Sequence, residues 1–513
     1  MMIHDEEVMS VLRHCAMTHV NRHVRAAGLQ LFEIVCVVAA AVEGPSKTTL
    51  KHGTLLRETV LAVLETTLSD NWSQVRMAAS VLARTLLCAI KDDRTSLLLA
   101  MPNLVPSLCL NRFYLAEGVK LYSQDTWKMI LGDEGMDQVA ANAGRVMRHY
   151  GKMCDADNHV VREAACLAVS ELSVKLGTNP KYKESLSPFV QGMLQSLIMC
   201  FYDESWPVRD SACLACGSFV KAYPTECLPE LETLFERWLD NLTDQIWSVR
   251  EDAAIALGDA ITAYGSVALS KVLPFVVSLV PAARSQPSET RLEKLAREND
   301  VKSHTNTVLY SCGSLAPKLN KNAHKSANRV AGCSDCQVTR DKCEWEATDG
   351  AIYMIRELCS FCDDKVLEPI IKELADVIRV NHFPQADELR ATVWKQLPEM
   401  CTKLGKQRFK SLYLDLFLEE LVKNLEKEES NSATPLSIAG AAHCCDALSA
   451  AIGKGIFRGR IVDALGERAA TLVDGHIMRV AEARRQAARM PVVGVMPPPN
   501  AEQVKGLAME SGF

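Results

Sequence analysis

A chain of 513 residues with a formal net charge of −6 has room for several domains or one long repeat array. It is too weakly charged for bulk attraction to nucleic acid or an anionic membrane. Hydrophobic residues make up 48% and aromatic residues only 6%, a balance of Ala, Leu and Val that favours closely packed helices over a sheet. The 19 cysteines follow no disulfide spacing. Cys36, Cys88, Cys166, Cys213, Cys216, Cys359 and Cys444 fall on apolar helical faces and read as reduced, buried thiols. The first residues include His4, Asp5, Glu6 and Glu7, unlike a secretory leader, and the apolar stretch 34–42 is about half a bilayer span. These features predict a soluble cytoplasmic protein without a membrane span, with the nucleus also open.

The N-terminal pattern is helical at once, with Val8, Val11, Leu12 and Cys15 three and four apart. Val24-Arg25 then opens a second helix that stops near Gly44-Pro45. No polar capping repeat precedes this pair, so the expectation is that an N-terminal part is missing or that another protein covers this end. Helices are predicted from about 53 to 68 and from about 73 to 90. Residues 92–150, with Pro102, Pro106, Gly132 and Gly135, read as one degenerate repeat with a long connection.

One phrase organises the first half of the chain. Asp70, Trp72 and Val75-Arg76 recur as Asp203, Trp206 and Val208-Arg209, and as Asp244, Trp247 and Val249-Arg250; Asp157 with Val161-Arg162 is a looser copy. The Arg anchors at 76, 162, 209 and 250 match a period of about 40–47 residues with one period skipped. In physical terms the Asp caps the amides that open the second helix of a pair, and Val turns inward. Arg reaches the Asp of its own or the next repeat. Such a ladder fixes register more than it adds stability. The phrase resembles the HEAT-repeat family of armadillo-like solenoids, strongly over 53–90 and 155–265. The resemblance implies an all-α, right-handed α-solenoid of antiparallel helix pairs that acts as scaffold, adaptor or transport receptor; the repeat period and the chain length predict about eight to ten such pairs.

After Pro281 the pattern breaks. Residues 281–345 read as a flexible polar insertion between an N-terminal array (1–280) and C-terminal HEAT-like helices (346–490), with a disordered tail at 491–513. Asp387 and Arg390 look like a degraded turn phrase; helices are predicted at 408–426, 434–452 and, as one piece, 459–488.

Two constellations stand out. His324, Cys333, Cys336 and Cys343 supply four ligands of the kind a tetrahedral zinc site uses, but a second Cys-x-x-Cys and a surrounding sheet pattern are missing, and incidental thiols are the plainer reading. Trp72, Trp206 and Trp247 are either wedges between layers or exposed anchors for a partner, since Trp is enriched in binding hot spots. A tubulin-binding HEAT array would also use turn aromatics, but with Lys-rich turns that this chain lacks. No phosphate-cradling loop, nucleophile elbow or zinc-protease pair is present. The sequence therefore predicts a non-enzymatic scaffold without a cofactor. It grips peptides or helices of other proteins and takes neither a small-molecule substrate nor nucleic acid. A nuclear transport receptor is the main alternative.

Overall fold

The computed structural model describes residues 6–43, 54–290, 342–430 and 435–489, and all regular structure among them is helical. The helices fall into two compact units, Met1–Phe361 and Cys362–Phe513. The all-α fold of stacked helix pairs is the one the turn phrase implies.

In the first unit the A helices are α1 (Glu6–Met17), α3 (Thr54–Thr67), α5 (Arg94–Asn111), α8 (Ala143–Cys154), α10 (Val190–Cys200), α12 (Leu231–Asn241) and α14 (Ser266–Leu279). Their B partners are α2 (Arg22–Glu43), α4 (Ser73–Ile90), α6 (Glu117–Ile130), α9 (His159–Leu172), α11 (Trp206–Ala222), α13 (Trp247–Tyr264) and α15 (Glu344–Leu358); a short α7 (Gly135–Ala141) follows α6. Each A helix packs on its own B helix, and B helices stack on B helices: α2 on α4, α4 on α6, then α9, α11, α13 and α15 in series.

The apolar spacing shows why. In α4, Val75, Ala79, Leu82, Ala83, Leu86, Leu87 and Ile90 are all buried, a stripe at helical period that faces the A layer and the neighbouring B helices. Each fully buried Leu or Val contributes about 1.5–3 kcal/mol. The small residues let backbones approach: a Cβ on Gly217 of α11 would lie 2.8 Å from Ala256 Cα of α13.

Several expectations change here. Pro102 and Pro106 lie inside α5 instead of breaking it, so residues 92–150 hold a full helix pair, α7 and the next A helix. Helix α15 belongs to the first unit, whose boundary falls after Phe361 and not before 346. Most of the predicted insertion, residues 291–341, and the tail at 491–513 lie outside the described residues.

The stretch Ser266–Ser285, with mean hydropathy 1.7, is long and apolar enough by composition to cross a membrane. It is a longer apolar run than 34–42. Within this unit it is an A helix and its 3-10 extension, set against α13 and α15 through buried Ala268, Val272 and Val276.

The second unit repeats the two layers with α16 (Asp364–Val377), α17 (Ala386–Leu404), α18 (Lys406–Leu412), α19 (Leu414–Ser430), α20 (Pro435–Ile452), α21 (Lys454–Leu465) and α22 (Glu467–Arg489). B helices α17, α20 and α22 stack in series. The single predicted last helix is two, parted at Gly466, whose φ of +89° is a conformation that favours glycine.

Candidate functional site

The turn phrase builds an arginine ladder with two contacts per rung. Each arginine donates to the carbonyl six residues earlier in its own turn: Arg25 to His19, Arg76 to Asp70, Arg162 to Ala156, Arg209 to Asp203 and Arg250 to Asp244. It then reaches forward to the next turn. Arg25 grips both oxygens of Asp70 at 2.9 and 3.0 Å, Arg162 those of Asp203 at 2.5 and 2.7 Å, and Arg209 approaches Asp244 at 3.5 Å. Arg250 closes on Asp349 of α15 at 2.7 Å, with Glu346 at 3.9 Å. Burial alone would lower the Arg250 pKa, and Asp349, Tyr353 and Glu346 more than restore it. The aspartates also hold their own turns, accepting from the backbone N–H of Trp72, Ser205 and Ile246. Val75, Val161, Val208 and Val249 are buried beside them.

One rung lacks a carboxylate. Arg76 is fully buried and meets the amide oxygen of Asn111 at 2.5 Å, with its guanidinium over the Tyr114 ring. Burial lowers its pKa, and the Tyr114 and Asp70 charges oppose that only in part.

Aligning the turns on their arginines corrects two assignments. Asp157 is exposed and caps nothing; the rung position is Ala156, and Asn158 is the N-cap of α9. Asn158 Oδ1 accepts from Val160 N at 3.0 Å, while its amide donates to the Asn71 carbonyl at 3.1 Å, stitching the phrase across the irregular pair. We predict that Asn158→Ala costs about 1–2 kcal/mol and Asp157→Ala no more than about 0.5 kcal/mol, measured by chemical denaturation. Equal effects would restore Asp157 to the cap.

The tryptophans do not share one position either. Trp72 is the N-cap residue of α4, four before its arginine, with the Arg22 guanidinium 4.2 Å above its ring. Trp206 and Trp247 are the first residues of α11 and α13, three before theirs. All three are half-buried. His324, Cys333 and Cys336 lie outside the described residues, and Cys343 is the N-cap of α15, in a capping box with Glu346. In the second unit Arg390 does not copy the ladder: it takes Asp387 within its own helix and the carbonyls of Ile378 and Val380.

Two features were not anticipated. The first is a gap in the B layer, where α6 does not pack along α9 as the other B helices pack on one another. Here α9 ends in a π-helical turn, Ser173–Gly177, an irregularity often found at functional sites. The result is a groove of about 850 Å³ with Met136, Val139, Leu172 and Leu176 on its walls. Arg112 lies across it, paired through two nitrogens with Glu171 and stacked 4.6 Å from the Trp127 ring. Lys175 joins the same carboxylate at 2.6 Å. Gly135 fits because a Cβ there would meet Trp127 Nε1 at 2.7 Å. The sequence signals were Gly132 and Gly135, which marked a break but not a groove.

The second is a line of half-buried carboxyl groups near the N-terminal ends of three successive B helices: Glu163, Asp210 and Asp252. Burial, then the Asp210 charge, raises Glu163 to about 7 and Asp252 to about 9; burial also raises Asp210. The Asp210–Asp252 pair thus holds one proton at neutral pH. Arg356 and Glu251 also face Asp252, with opposite effects. A carboxyl whose folded pKa lies above its unfolded value of about 3.9 stabilises the fold at low pH, and that stability is lost as pH rises toward 9. Asp252→Asn is therefore expected to raise the melting temperature by about 2 °C at pH 8.5, for about 1 kcal/mol after solvent screening, and by less at pH 5. A pH-independent difference would show that the pair carries no shared proton.

Neither a protein family nor a curated protein matches the chain. Solved structures are similar to it only at low TM-scores. The karyopherin Kap121p bound to Nup53p has a TM-score of 0.40 at 12% identity, over 93% of this chain and 45% of that one. Kap95p, from a structure with RanGDP, has 0.33 at 15%, over 98% and 68%. An engineered protein has 0.34 at 14%, over 93% and 98%. The chain thus spans less than half the length of Kap121p. At this level the likeness carries nothing about ligands or partners.

Proposed function

We propose that this chain is a non-enzymatic scaffold or adaptor, working in the cytoplasm or nucleus, that holds a peptide or helical segment of another protein in the groove between α6, α7 and the end of α9. The observation that carries this reading is the interrupted B layer. Elsewhere within each unit neighbouring B helices bury their faces against one another, but here exposed Met136 and a Trp127–Arg112–Glu171 cluster line an open cleft, floored by buried Val139, Leu172 and Leu176. Trp and Arg are enriched among the side chains that carry most of the binding energy at protein interfaces.

The test is affinity purification with the wild type and with a Met136→Glu/Thr178→Trp double variant, both substitutions at exposed groove positions. Selective loss of a partner set at an unchanged melting temperature supports the reading. An identical partner set ends it.

A second reading, a carrier of basic segments such as a nuclear transport receptor, draws support from the carboxyl line Glu163, Asp210 and Asp252. Binding a Lys- or Arg-rich peptide there would release protons, because the charge lowers the raised carboxyl pKa values. Calorimetry in two buffers of different ionisation heat measures that release, and a zero proton count would remove this reading.

A further inference from the structure

Three thiols converge where α8, α9 and α10 meet. Cys154 is the last residue of α8, Cys166 lies within α9 and Cys200 is the last residue of α10. Their Sγ atoms all lie within 4.8 Å of one another, and the residues are 6%, 0% and 2% exposed. All three are free, and Cys200 donates to the Cys154 carbonyl at 3.5 Å.

Packing alone does not require sulfur at this place. Cys166 stands four residues after its ladder arginine, where the other turns carry Leu29, Ser80, Cys213 and Ala254. The fold accepts several side chains there. What sets Cys166 apart is that two A-helix termini also bring a thiol to the same point.

The donor set is specific in kind. It contains sulfur only, with no imidazole among the three ligands. The nearest rung carboxylate, Asp203, already gives both oxygens to Arg162. With metal–sulfur bonds of about 2.3 Å, three thiolates around one ion stand about 4 Å apart, so the trio closes with small side-chain shifts. Zinc seeks a fourth ligand that the cluster does not offer, whereas thiolate softness and low coordination number suit Cu(I). We infer that Cys154, Cys166 and Cys200 form a three-sulfur site for a soft monovalent metal ion, Cu(I), with the slightly exposed Cys154 as the side from which the ion arrives. Binding displaces thiol protons to solvent, and no electron is transferred.

The experiment uses the full-length protein under anaerobic conditions, titrated with Cu(I) supplied as its bicinchoninate complex. The wild type is expected to withdraw one equivalent with a thiolate-to-copper charge-transfer band. Cys166→Ser and Cys200→Ser should weaken that uptake at least about 100-fold. Cys213→Ser, the equivalent buried thiol one repeat later, should leave it unchanged. Cys333→Ser/Cys336→Ser should also leave it unchanged, which separates this site from the 324–343 stretch. X-ray absorption on the loaded wild type, independent of whether any variant folds, should show three sulfur neighbours. Equal uptake by wild type and Cys166→Ser, loss only in Cys333→Ser/Cys336→Ser, or a coordination shell other than three sulfurs would each overturn the assignment.

Discussion

Asp349→Ala is expected to destabilise the first unit by about 3–5 kcal/mol, because it strands the Arg250 guanidinium in a site only 1% exposed. Arg250 donates to one oxygen of Asp349, Oδ2, from Nε at 2.8 Å and from a terminal nitrogen at 2.7 Å, and Glu346 at 3.9 Å is a poor substitute. Removing both charges is a different matter. An Arg250→Met/Asp349→Leu double variant exchanges the pair for apolar groups and should recover most of the loss, since desolvating an ion pair offsets much of its attraction. Denaturant titration of the two single variants and the double variant gives the coupling. A loss under about 1 kcal/mol for Asp349→Ala would mean that α15 is not seated on α13 as described.

The neighbouring Gly350 gives the other large effect. A Cβ at this position would lie 1.8 Å from the carbonyl oxygen of Leu242, a backbone atom that cannot turn aside. Gly350→Ala must therefore push α15 off the end of α12, at a cost of about 3 kcal/mol or more. Gly192→Ala is the control: it lies within α10 with nothing within 4 Å of the added carbon, and it should stabilise by about 0.5–1 kcal/mol. Melting temperatures that move together in the two variants would sink the close-approach argument.

These two residues also show where sequence reading ran short. Asp70, Asp203 and Asp244 were legible because each sits six residues before an arginine, a local spacing. Asp349 is the same kind of rung, yet it stands 99 residues beyond Arg250 and is preceded by no phrase of its own. Only the fold brings the two together. At the turn before α9 the acid nearest the expected spacing is Asp157, while the backbone geometry places the cap at Asn158, one residue on. The tryptophans misled in the same way, because similarity of composition concealed a one-residue difference in register. The groove left still less trace, since it arises from an interface that is not made, and a missing contact has no motif. The thiol trio joins three helices, so its members looked like three ordinary buried cysteines.

The contact between Gln286 and Trp345 has a consequence for how this architecture can change. The Trp345 amide donates to the Gln286 side chain at 3.2 Å, and nearby Lys342 binds Asp240 and Thr243. The described residues on the two sides of 291–341 therefore meet at nearly one point, with the rung from Arg250 to Asp349 formed across the junction. Doubling the length of the intervening stretch raises the closure entropy by only about 0.6 kcal/mol. The junction is thus a natural splice site, where stretches of quite different length or content could be exchanged while the two sides stay in register. A Gly-Ser linker in place of residues 291–341 should keep the melting temperature of the first unit within a few degrees, and its collapse would show that the stretch itself holds α15 in place.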